Sequence, residues 1–184
     1  YQGHLFQTDT PINGGNSGGP LCDKNNIVIG INAQKIENAD NIGYSVPIKY
    51  FQILQKKLMR DNSNINIIYK PSLLCKFSKS NKLINKYISN NSIEGYLIKE
   101  INENSILYGK LNELDVLIEF DGYKLDNFGE TLVSWSKDKY TLKDLLFRYL
   151  DNQKVKIKYY NKYKNKEKEI EIEIKHPEYK VKSM

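Results

Sequence analysis

Hydrophobic and polar positions along the chain predict a fold that is mainly β with a few helices. The run 27–31 is apolar throughout, which is typical of a strand buried on both faces. Further strands are predicted over 95–101 and 115–120, because both runs are short and rich in apolar residues. Asp121-Gly122 follows the second of these strands and is a strong signal for a tight turn.

Two segments near the C-terminus alternate between charged and apolar residues. Lys alternates with apolar residues over 154–158, and Glu does so over 169–173. If these strands pair, Lys faces Glu on the outer side, and each such pair contributes roughly 0.2–1 kcal/mol. We therefore expect the two segments to form paired strands with a charged outer face.

Two other segments have the spacing of a helix with one apolar face. The first opens at Pro47, whose fixed φ and missing N–H cost little at a helix start. Its apolar stripe consists of Phe51, Leu54 and Leu58, with Tyr50 and Ile53 beside it. The second follows Thr141 and Asp144, which resemble a capping box with Asp in place of Glu. Its apolar face consists of Leu142, Leu145, Leu146, Tyr149 and Leu150.

The chain of 184 residues has room for one domain or two small ones. Residues 61–64 have the composition of a linker, so a boundary is predicted there. The first unit then covers 1–61, the second covers 62–176, and 177–184 form a tail.

Charge and hydropathy exclude some classes of partner. The net charge is +6, but the basic residues are almost all Lys, with Arg only at Arg60 and Arg148. Since acidic residues are interleaved with the lysines, the basic balance indicates a solvated surface, and nucleic-acid binding is not expected. No run is long and apolar enough to span a membrane.

The cysteine pattern indicates neither a metal site nor a disulfide framework. Cys22 and Cys75 fall in different predicted units, and no ligand spacing accompanies them. We therefore expect no metal and no cofactor. This usage is compatible with a reducing, intracellular compartment, but it does not determine the localisation.

The most informative stretch is 13–21, where a serine stands among glycines. Ser17 is flanked by Gly14, Gly15, Gly18 and Gly19, and Pro20 closes the run. Glycines on both sides of one side chain predict a sharp turn that exposes the hydroxyl. The same turn can aim the N–H groups of Gly15 and Ser17 at one point, as in an oxyanion hole. The alternative is a surface turn rich in Gly and Asn with an incidental serine.

The same five residues, Gly15 to Gly19, also fit the nucleophile elbow of α/β-hydrolases. An elbow needs a strand before the serine and a helix directly after it. Here Pro20 is followed by a turn over 23–26 and then by the β-branched run 27–31, so the order is strand, turn, strand. The only downstream histidine is His176, near the end of the chain. The elbow interpretation is therefore disfavoured.

The flanks of the serine loop carry a family resemblance. Residues 7–13 precede it, and 23–32 and 41–47 follow in order. The block 5–58 resembles the C-terminal part of the protease domain of the HtrA/Deg family of trypsin-like serine proteases. The resemblance implies part of a chymotrypsin-fold β-barrel and a serine endopeptidase that acts through an acyl-enzyme, with Ser17 as nucleophile. Gly14 departs from the family, which more often has Pro there.

The resemblance also implies a substrate-binding strand and a specificity pocket. Asn32, Ala33 and Gln34 would form the strand that holds a substrate backbone beside the nucleophile. Gly43 would lie at the floor of the primary specificity pocket. The alternative for Gly43 is a strand glycine at a close packing contact.

The order of elements after residue 65 resembles a PDZ domain of the HtrA/Deg type, an α+β fold. The segment 128–140 is most similar to the plant Deg branch. PDZ domains bind a peptide end between a strand and a helix. The implied peptide-binding residues are Leu73, Leu74, Cys75, Tyr96 and Leu97. Leu74 stands where the family usually has Gly, so protomer assembly, gating, or a loop packed by its own side chains remain alternatives.

The general base that a serine nucleophile needs is not evident in the sequence. Trypsin-like proteases carry their His and Asp ahead of the serine. His4 is the one upstream histidine and is expected at a strand end on the surface, and Asp9 matches a structural position of the family. We therefore expect the triad His and Asp in a preceding barrel that this chain lacks, and the chain alone to be inactive.

Partners follow from the same resemblance. It implies unfolded or peptide substrates and a homo-oligomer, a trimer or a hexamer. An alternative from another class is a catalytically inactive scaffold protein whose working part is the PDZ-like unit.

Overall fold

A computed structural model describes residues 5–35, 42–58, 71–89, 93–150 and 152–175. Contacts divide the chain into two units, Tyr1–Ile68 and Tyr69–Met184. The boundary predicted at residues 61–64 lies outside the described residues, as does the tail 177–184. The described elements are mostly strands, which confirms the predicted fold class.

The described residues of the first unit, 5–35 and 42–58, form a four-stranded antiparallel sheet and one helix. The order in the sheet is β1-β4-β3-β2. The elements are β1 (Phe6–Thr8), β2 (Pro20–Cys22), β3 (Val28–Lys35), β4 (Gly43–Pro47) and α1 (Ile48–Leu58). The serine loop therefore connects β1 to β2, and β3 lies between β2 and β4.

The run 27–31 is a strand in part only, and the prediction that it is buried is wrong at its start. Ile27 is 60% exposed and Val28 is 40% exposed. Ile27 closes the preceding turn, because its N–H donates to the Asp23 carboxylate at 2.9 Å and its carbonyl accepts from the Asp23 N–H at 2.9 Å. An apolar run does not reveal which of its faces is covered.

The helix predicted at Pro47 begins one residue later, because Pro47 is the last residue of β4. Phe51 of its apolar stripe is 44% exposed. The side chains of Ile53, Leu54 and Leu58 lie outside the described part of the chain.

The part of the second unit that the structure describes forms a six-stranded sheet, a two-stranded sheet and two short helices. The order in the large sheet is β12-β11-β7-β6-β5, with β8 paired to β7, and β9 pairs with β10. The elements are β5 (Cys75–Ser78), α2 (Lys82–Ile88), β6 (Tyr96–Ile101), β7 (Val116–Phe120), β8 (Tyr123–Lys124), β9 (Glu130–Thr131), β10 (Tyr140–Thr141), α3 (Leu142–Leu146), β11 (Lys154–Asn161) and β12 (Lys166–Glu173).

The pairing of the two alternating segments is confirmed. β11 and β12 run antiparallel in one register, with Lys156 opposite Glu171. The ion pairs are diagonal to that register, because each lysine reaches a glutamate two residues from the one it faces. They join Lys154 to Glu171 at 3.1 Å, Lys156 to Glu169 at 3.5 Å and Lys158 to Glu167 at 2.9 Å.

Two local predictions in this unit are also confirmed. Asp121 and Gly122 have φ values of 49° and 84° and form the tight turn between β7 and β8. Thr141 and Asp144 form a capping box at the start of α3. The helix is shorter than predicted, because Tyr149 and Leu150 lie beyond its last residue.

Two apolar clusters hold the second unit together. The larger one is centred on fully buried side chains of β6, β7, β11 and α3, including Ile98, Phe120, Ile157 and Leu145. The smaller one packs α2 onto the sheet through Ile88, Leu97, Val116, Tyr160 and Ile93. No helix in the described ranges is long and apolar enough to cross a membrane.

Candidate active site

The loop before Ser17 is built around the side chain of Asn16. Its Nδ2 donates to the Pro11 carbonyl at 2.9 Å, and its Oδ1 accepts from the Asn13 N–H at 2.9 Å. Its backbone N–H donates to the Asn13 carbonyl at 3.1 Å, and its carbonyl accepts from the Gly19 N–H at 3.1 Å. One residue therefore closes the turn on both sides of the serine.

Asn32 fastens this loop to β3. The Gly18 N–H donates to the Asn32 carbonyl at 2.7 Å, and the Asn32 N–H donates to the Gly19 carbonyl at 2.9 Å. The Asn32 side chain donates to the Asn16 carbonyl at 3.4 Å and accepts from the buried Ser45 hydroxyl at 2.9 Å. Asn32 is predicted from the resemblance to bind substrate, whereas its contacts with Asn16 and Ser45 were missed at the level of sequence. Their spacing in the chain carries no signal for this contact.

Ser17 lies on the surface, and its hydroxyl is within reach of one backbone acceptor. The Ser17 side chain is exposed, and its Oγ lies 3.5 Å from the Ala33 carbonyl oxygen. The next residue, Gly18, has φ 83°, a left-handed conformation that favours glycine. The chain thus turns sharply at the serine, as the glycine pattern predicts.

The two N–H groups proposed for the oxyanion hole have no acceptor within the described ranges. The N–H groups of Gly14, Gly15 and Ser17 donate no hydrogen bond there, whereas those of Asn16, Gly18 and Gly19 all do. A side-chain carbon added at Gly14 or Gly15 would meet nothing within 4 Å. Within the described part of the chain, the space beside Gly14 and Gly15 is therefore unfilled.

A general base for Ser17 does not come from the described residues. In that part of the chain the one hydrogen-bond acceptor of its Oγ is the Ala33 carbonyl. His4 and His176 lie outside the described residues. Asp9 is exposed, and no described hydrogen bond joins its carboxylate to the serine.

The strand next to the serine has a free edge. The pairing of β2 with β3 begins at Pro20, which lies opposite Ile31, so the residues of β3 after Ile31 have no partner on β2. On the other side, a register shift between Asn32 and Gln34 leaves Ala33 without a partner on β4. Ala33 is exposed, and within the described residues no strand pairs with β3 beyond Ile31 on the β2 side, so apart from the two Asn32 hydrogen bonds this edge is available to an extended segment.

Gly43 makes a close packing contact. A Cβ on Gly43 would stand 2.8 Å from Ile12 Cγ1 and 2.8 Å from the Thr10 carbonyl oxygen. Ile12 is only 5% exposed. The space beside Gly43 is therefore filled, which is the packing alternative raised by the sequence. Its role as the floor of a specificity pocket stays a prediction.

In the second unit, the backbone of Leu74 is engaged within the protein. Leu74 has φ 48°, a left-handed conformation that non-glycine residues seldom adopt. Its N–H donates to the Ser72 hydroxyl at 3.1 Å, and its carbonyl accepts from the Asn102 N–H at 3.1 Å. Leu73 is buried, so its side chain is not free to meet a ligand.

The other predicted peptide-binding residues are divided between two strands. Cys75 begins β5, the edge strand of the sheet, and burial raises the pKa of its thiol despite the contact with Ser105. Tyr96 and Leu97 belong to β6, which lies between β5 and β7. The Tyr96 ring stacks on Phe77 at 4.8 Å, and Leu97 is 6% exposed. Tyr96 therefore packs against a residue of the edge strand, whereas Leu97 belongs to the buried cluster that includes Ile88 of α2.

Comparison with known proteins agrees with this geometry. The Trypsin family model matches residues 1–56. Protease Do-like 4, mitochondrial, of Arabidopsis thaliana is 32% identical over 125 residues, which cover 66% of this chain and 23% of that protein. Serine protease HtrA-like of Staphylococcus epidermidis is 28% identical over 166 residues, 83% of this chain and 27% of that protein. The chain belongs to the HtrA/Deg group of trypsin-like proteases.

The HtrA/Deg fold extends over nearly the whole chain. The solved structure of the HtrA-type protease AlgW with decapeptide superposes with a TM-score of 0.63 at 19% identity. The match covers 92% of this chain and 48% of that one. This HtrA/Deg chain spans about a quarter of the length of the curated relatives it matches.

Proposed function

We propose that this HtrA/Deg chain supplies the nucleophile of a serine endopeptidase, with Ser17 as the attacking residue. The observation that carries the proposal is the exposed Ser17 hydroxyl beside the N–H groups of Gly15 and Ser17, neither of which has an acceptor in the described residues. The names of the relatives support the same reaction class, since they are proteases.

The reaction is acyl transfer to Ser17. Its Oγ attacks the carbonyl carbon of a peptide bond while its proton passes to a general base, and the carbonyl oxygen becomes negatively charged. The N–H groups of Gly15 and Ser17 hold this oxyanion, and each such donor is worth roughly 3–4 kcal/mol of barrier. The amine then leaves with a proton, and water hydrolyses the acyl-enzyme.

The free edge of β3 positions the substrate. An extended segment beside Asn32, Ala33 and Gln34 would add as a strand, with its scissile bond next to Ser17. The hydrogen bonds of Asn16 and Asn32 hold the serine loop against this edge of β3. The nucleophile and the substrate strand are therefore both positioned by β3. Unfolded proteins and peptides are the substrates that can adopt this extended form.

The general base is proposed to be a His oriented by an Asp, both of which lie outside the 184-residue chain, since trypsin-like proteases carry both ahead of the serine. The Oγ of Ser17 has no imidazole or carboxylate partner in the described ranges, and an unassisted serine hydroxyl is a poor nucleophile. We therefore expect the 184-residue chain alone to lack peptidase activity and a longer protein that contains it to be active.

The test compares wild type, Ser17→Ala and Ser134→Ala in the longer protein and in the 184-residue chain. Ser134 is the control, because it is an exposed serine of the second unit. Peptide hydrolysis and labelling by a fluorophosphonate should disappear in Ser17→Ala and persist in Ser134→Ala of the longer protein. Activity that survives Ser17→Ala would contradict the proposal, and labelling of the shorter wild-type chain would contradict its dependence on an outside base.

The second unit is proposed to recognise peptides in the manner of a PDZ domain. Its support is the outer edge of β5, which pairs with no other strand within the described residues, together with the decapeptide that accompanies AlgW in the solved structure. Assembly into trimers or hexamers belongs to the same proposal and is measured by light scattering of the longer protein. If peptides bind the chain while Ser17→Ala leaves the longer protein unchanged in every assay, the inactive scaffold alternative applies.

A further inference from the structure

One surface of the second unit combines lysines with exposed apolar side chains. It is formed by the outer face of α2 and by the turn that joins β11 to β12. We define this hairpin-tip patch as Leu83, Tyr87, Lys162, Tyr163, Lys164 and Lys166.

Contacts show that the two parts of the patch are adjacent. The Lys162 ammonium donates to the Tyr87 carbonyl at 3.1 Å and stands 3.7 Å from the centre of the Tyr87 ring. Beneath the surface, Ile88 of α2 and Tyr160 of β11 belong to one apolar cluster. The helix face and the hairpin turn are therefore parts of a single packed surface.

The lysines of the patch are not neutralised by ion pairs. Within the described residues, no ion pair joins Lys162, Lys164 or Lys166 to a carboxylate. Glu167, the acid next to them in the chain, is bound to Lys158 at 2.9 Å. The pKa of Lys168 is lowered by contact with Lys164, by burial and by the nearby lysine charges, which is the effect of concentrated positive charge. This contrasts with the paired lysines of β11.

The apolar members of the patch are unusually exposed. Leu83 is 81% exposed, Tyr87 74% and Tyr163 73%. Leu83 and Tyr87 are four residues apart on α2 and share one face of the helix. The opposite face of α2 carries Ile88, which is 2% exposed. The hydrophobic side of the helix is thus already buried, and Leu83 and Tyr87 are additional apolar groups in solvent.

This combination fits a lipid surface better than a nucleic acid. Lysine ammonium groups are attracted to anionic lipid headgroups, while leucine and tyrosine gain free energy by entering the headgroup boundary. A nucleic acid would use the lysines and could stack on tyrosine, but it would leave Leu83 in water. The exposed leucine therefore favours lipid.

We infer that the hairpin-tip patch docks the second unit onto a membrane surface of anionic phospholipids. The contact is peripheral, because its groups are a few side chains on a folded surface. This membrane contact does not involve Ser17. It places the proposed peptidase at a membrane surface.

The test is co-sedimentation of the 184-residue chain with vesicles of phosphatidylcholine, with and without about 30% phosphatidylglycerol. The charge variant is Lys164→Gln with Lys166→Gln. The matched control is Lys99→Gln with Lys110→Gln, two exposed lysines elsewhere in the unit. Each pair removes two positive charges from +6 and leaves +4. Ser17→Ala is included to separate docking from catalysis.

We expect binding to the anionic vesicles only. The charge variant should bind about 30-fold more weakly, since each lysine near an anionic surface contributes about fivefold. Leu83→Ala should weaken binding about tenfold. Ser17→Ala and the matched control should bind like the wild type, apart from a small loss from the lower net charge.

Four results would overturn the inference. They are absence of binding to anionic vesicles, equal binding to pure phosphatidylcholine, an equal loss in the matched control, and no effect of Leu83→Ala. Binding of an oligonucleotide or of polyglutamate by the patch, without vesicle binding, would assign it to a soluble polyanion instead. Circular dichroism of every variant checks that the fold is kept.

Discussion

The side-chain amide of Asn161 donates to both carboxylate oxygens of Asp115, at 3.2 and 3.1 Å. The same carboxylate accepts from the Lys162 N–H at 3.0 Å and from the Asn112 N–H at 2.9 Å. Asp115 is fully buried and directly precedes β7. One acid thus joins the loop before β7 to the end of β11 and to the hairpin turn.

Removal of this carboxylate should destabilise the second unit. Asp115→Ala leaves three donors without their acceptor, and we expect a loss of roughly 3 kcal/mol in the free energy of unfolding. Trp135 is the only tryptophan of the chain and lies in this unit, so its fluorescence during urea unfolding reports the change. Asp138→Ala is the control, because that residue is exposed. Equal midpoints for both variants would show that the Asp115 network contributes little.

Gly43 and Ile12 should behave as a coupled pair. Gly43→Ala places a methyl group 2.8 Å from Ile12 Cγ1 and from the Thr10 carbonyl, so we expect roughly 1–3 kcal/mol of destabilisation. Hydrogen exchange of the β3 and β4 amides measures it in the first unit. Gly14→Ala is the control, because an added Cβ there meets nothing within 4 Å.

The double variant Gly43→Ala with Ile12→Ala tests the cause. If the methyl group clashes with Ile12, removal of the isoleucine side chain should recover part of the loss, so that the two effects are not additive. Additive protection losses would mean that Ile12 is not the obstacle. Gly43 would then remain open to the specificity-pocket role predicted from the resemblance.

Asp126 should make the second unit sensitive to acid. Burial raises the pKa of its carboxyl, but the Lys139 ammonium and the N–H groups of Glu130 and Phe128 lower it more, so the net pKa is below 3.8. A carboxyl with a depressed folded pKa stabilises the fold above its unfolded pKa. That contribution is lost as the pH falls below 3.8 through the folded pKa.

The variant Asp126→Asn keeps the shape and removes the charge. We expect it to cost roughly 1–2 kcal/mol of unfolding free energy at neutral pH and progressively less below pH about 4, as the wild type itself becomes protonated. Urea unfolding followed by Trp135 fluorescence across this range measures the difference. A gap between the two proteins that stays constant down to pH about 2 would exclude the ionised carboxylate as the cause.

The sequence pattern was sufficient where the determining residues are near each other in the chain. The charged alternation of 154–158 and 169–173 yielded the β11–β12 pair, Thr141 with Asp144 yielded the capping box, and Asp121-Gly122 yielded the tight turn. Each depends on backbone preferences and on neighbours within one element or one hairpin. The glycine pattern around Ser17 belongs with them, because a sharp turn is a local property.

Contacts between segments that are distant in the chain were decided only by the tertiary structure. The sequence could not tell that Asn32 fastens the serine loop or that Ile12 fills the space beside Gly43. It also could not tell that the first residues of 27–31 are exposed, because an apolar run is the same whether or not another surface covers it. Side-chain identity constrains the local backbone, but burial depends on which surfaces meet, and that is settled by the packing of the whole unit.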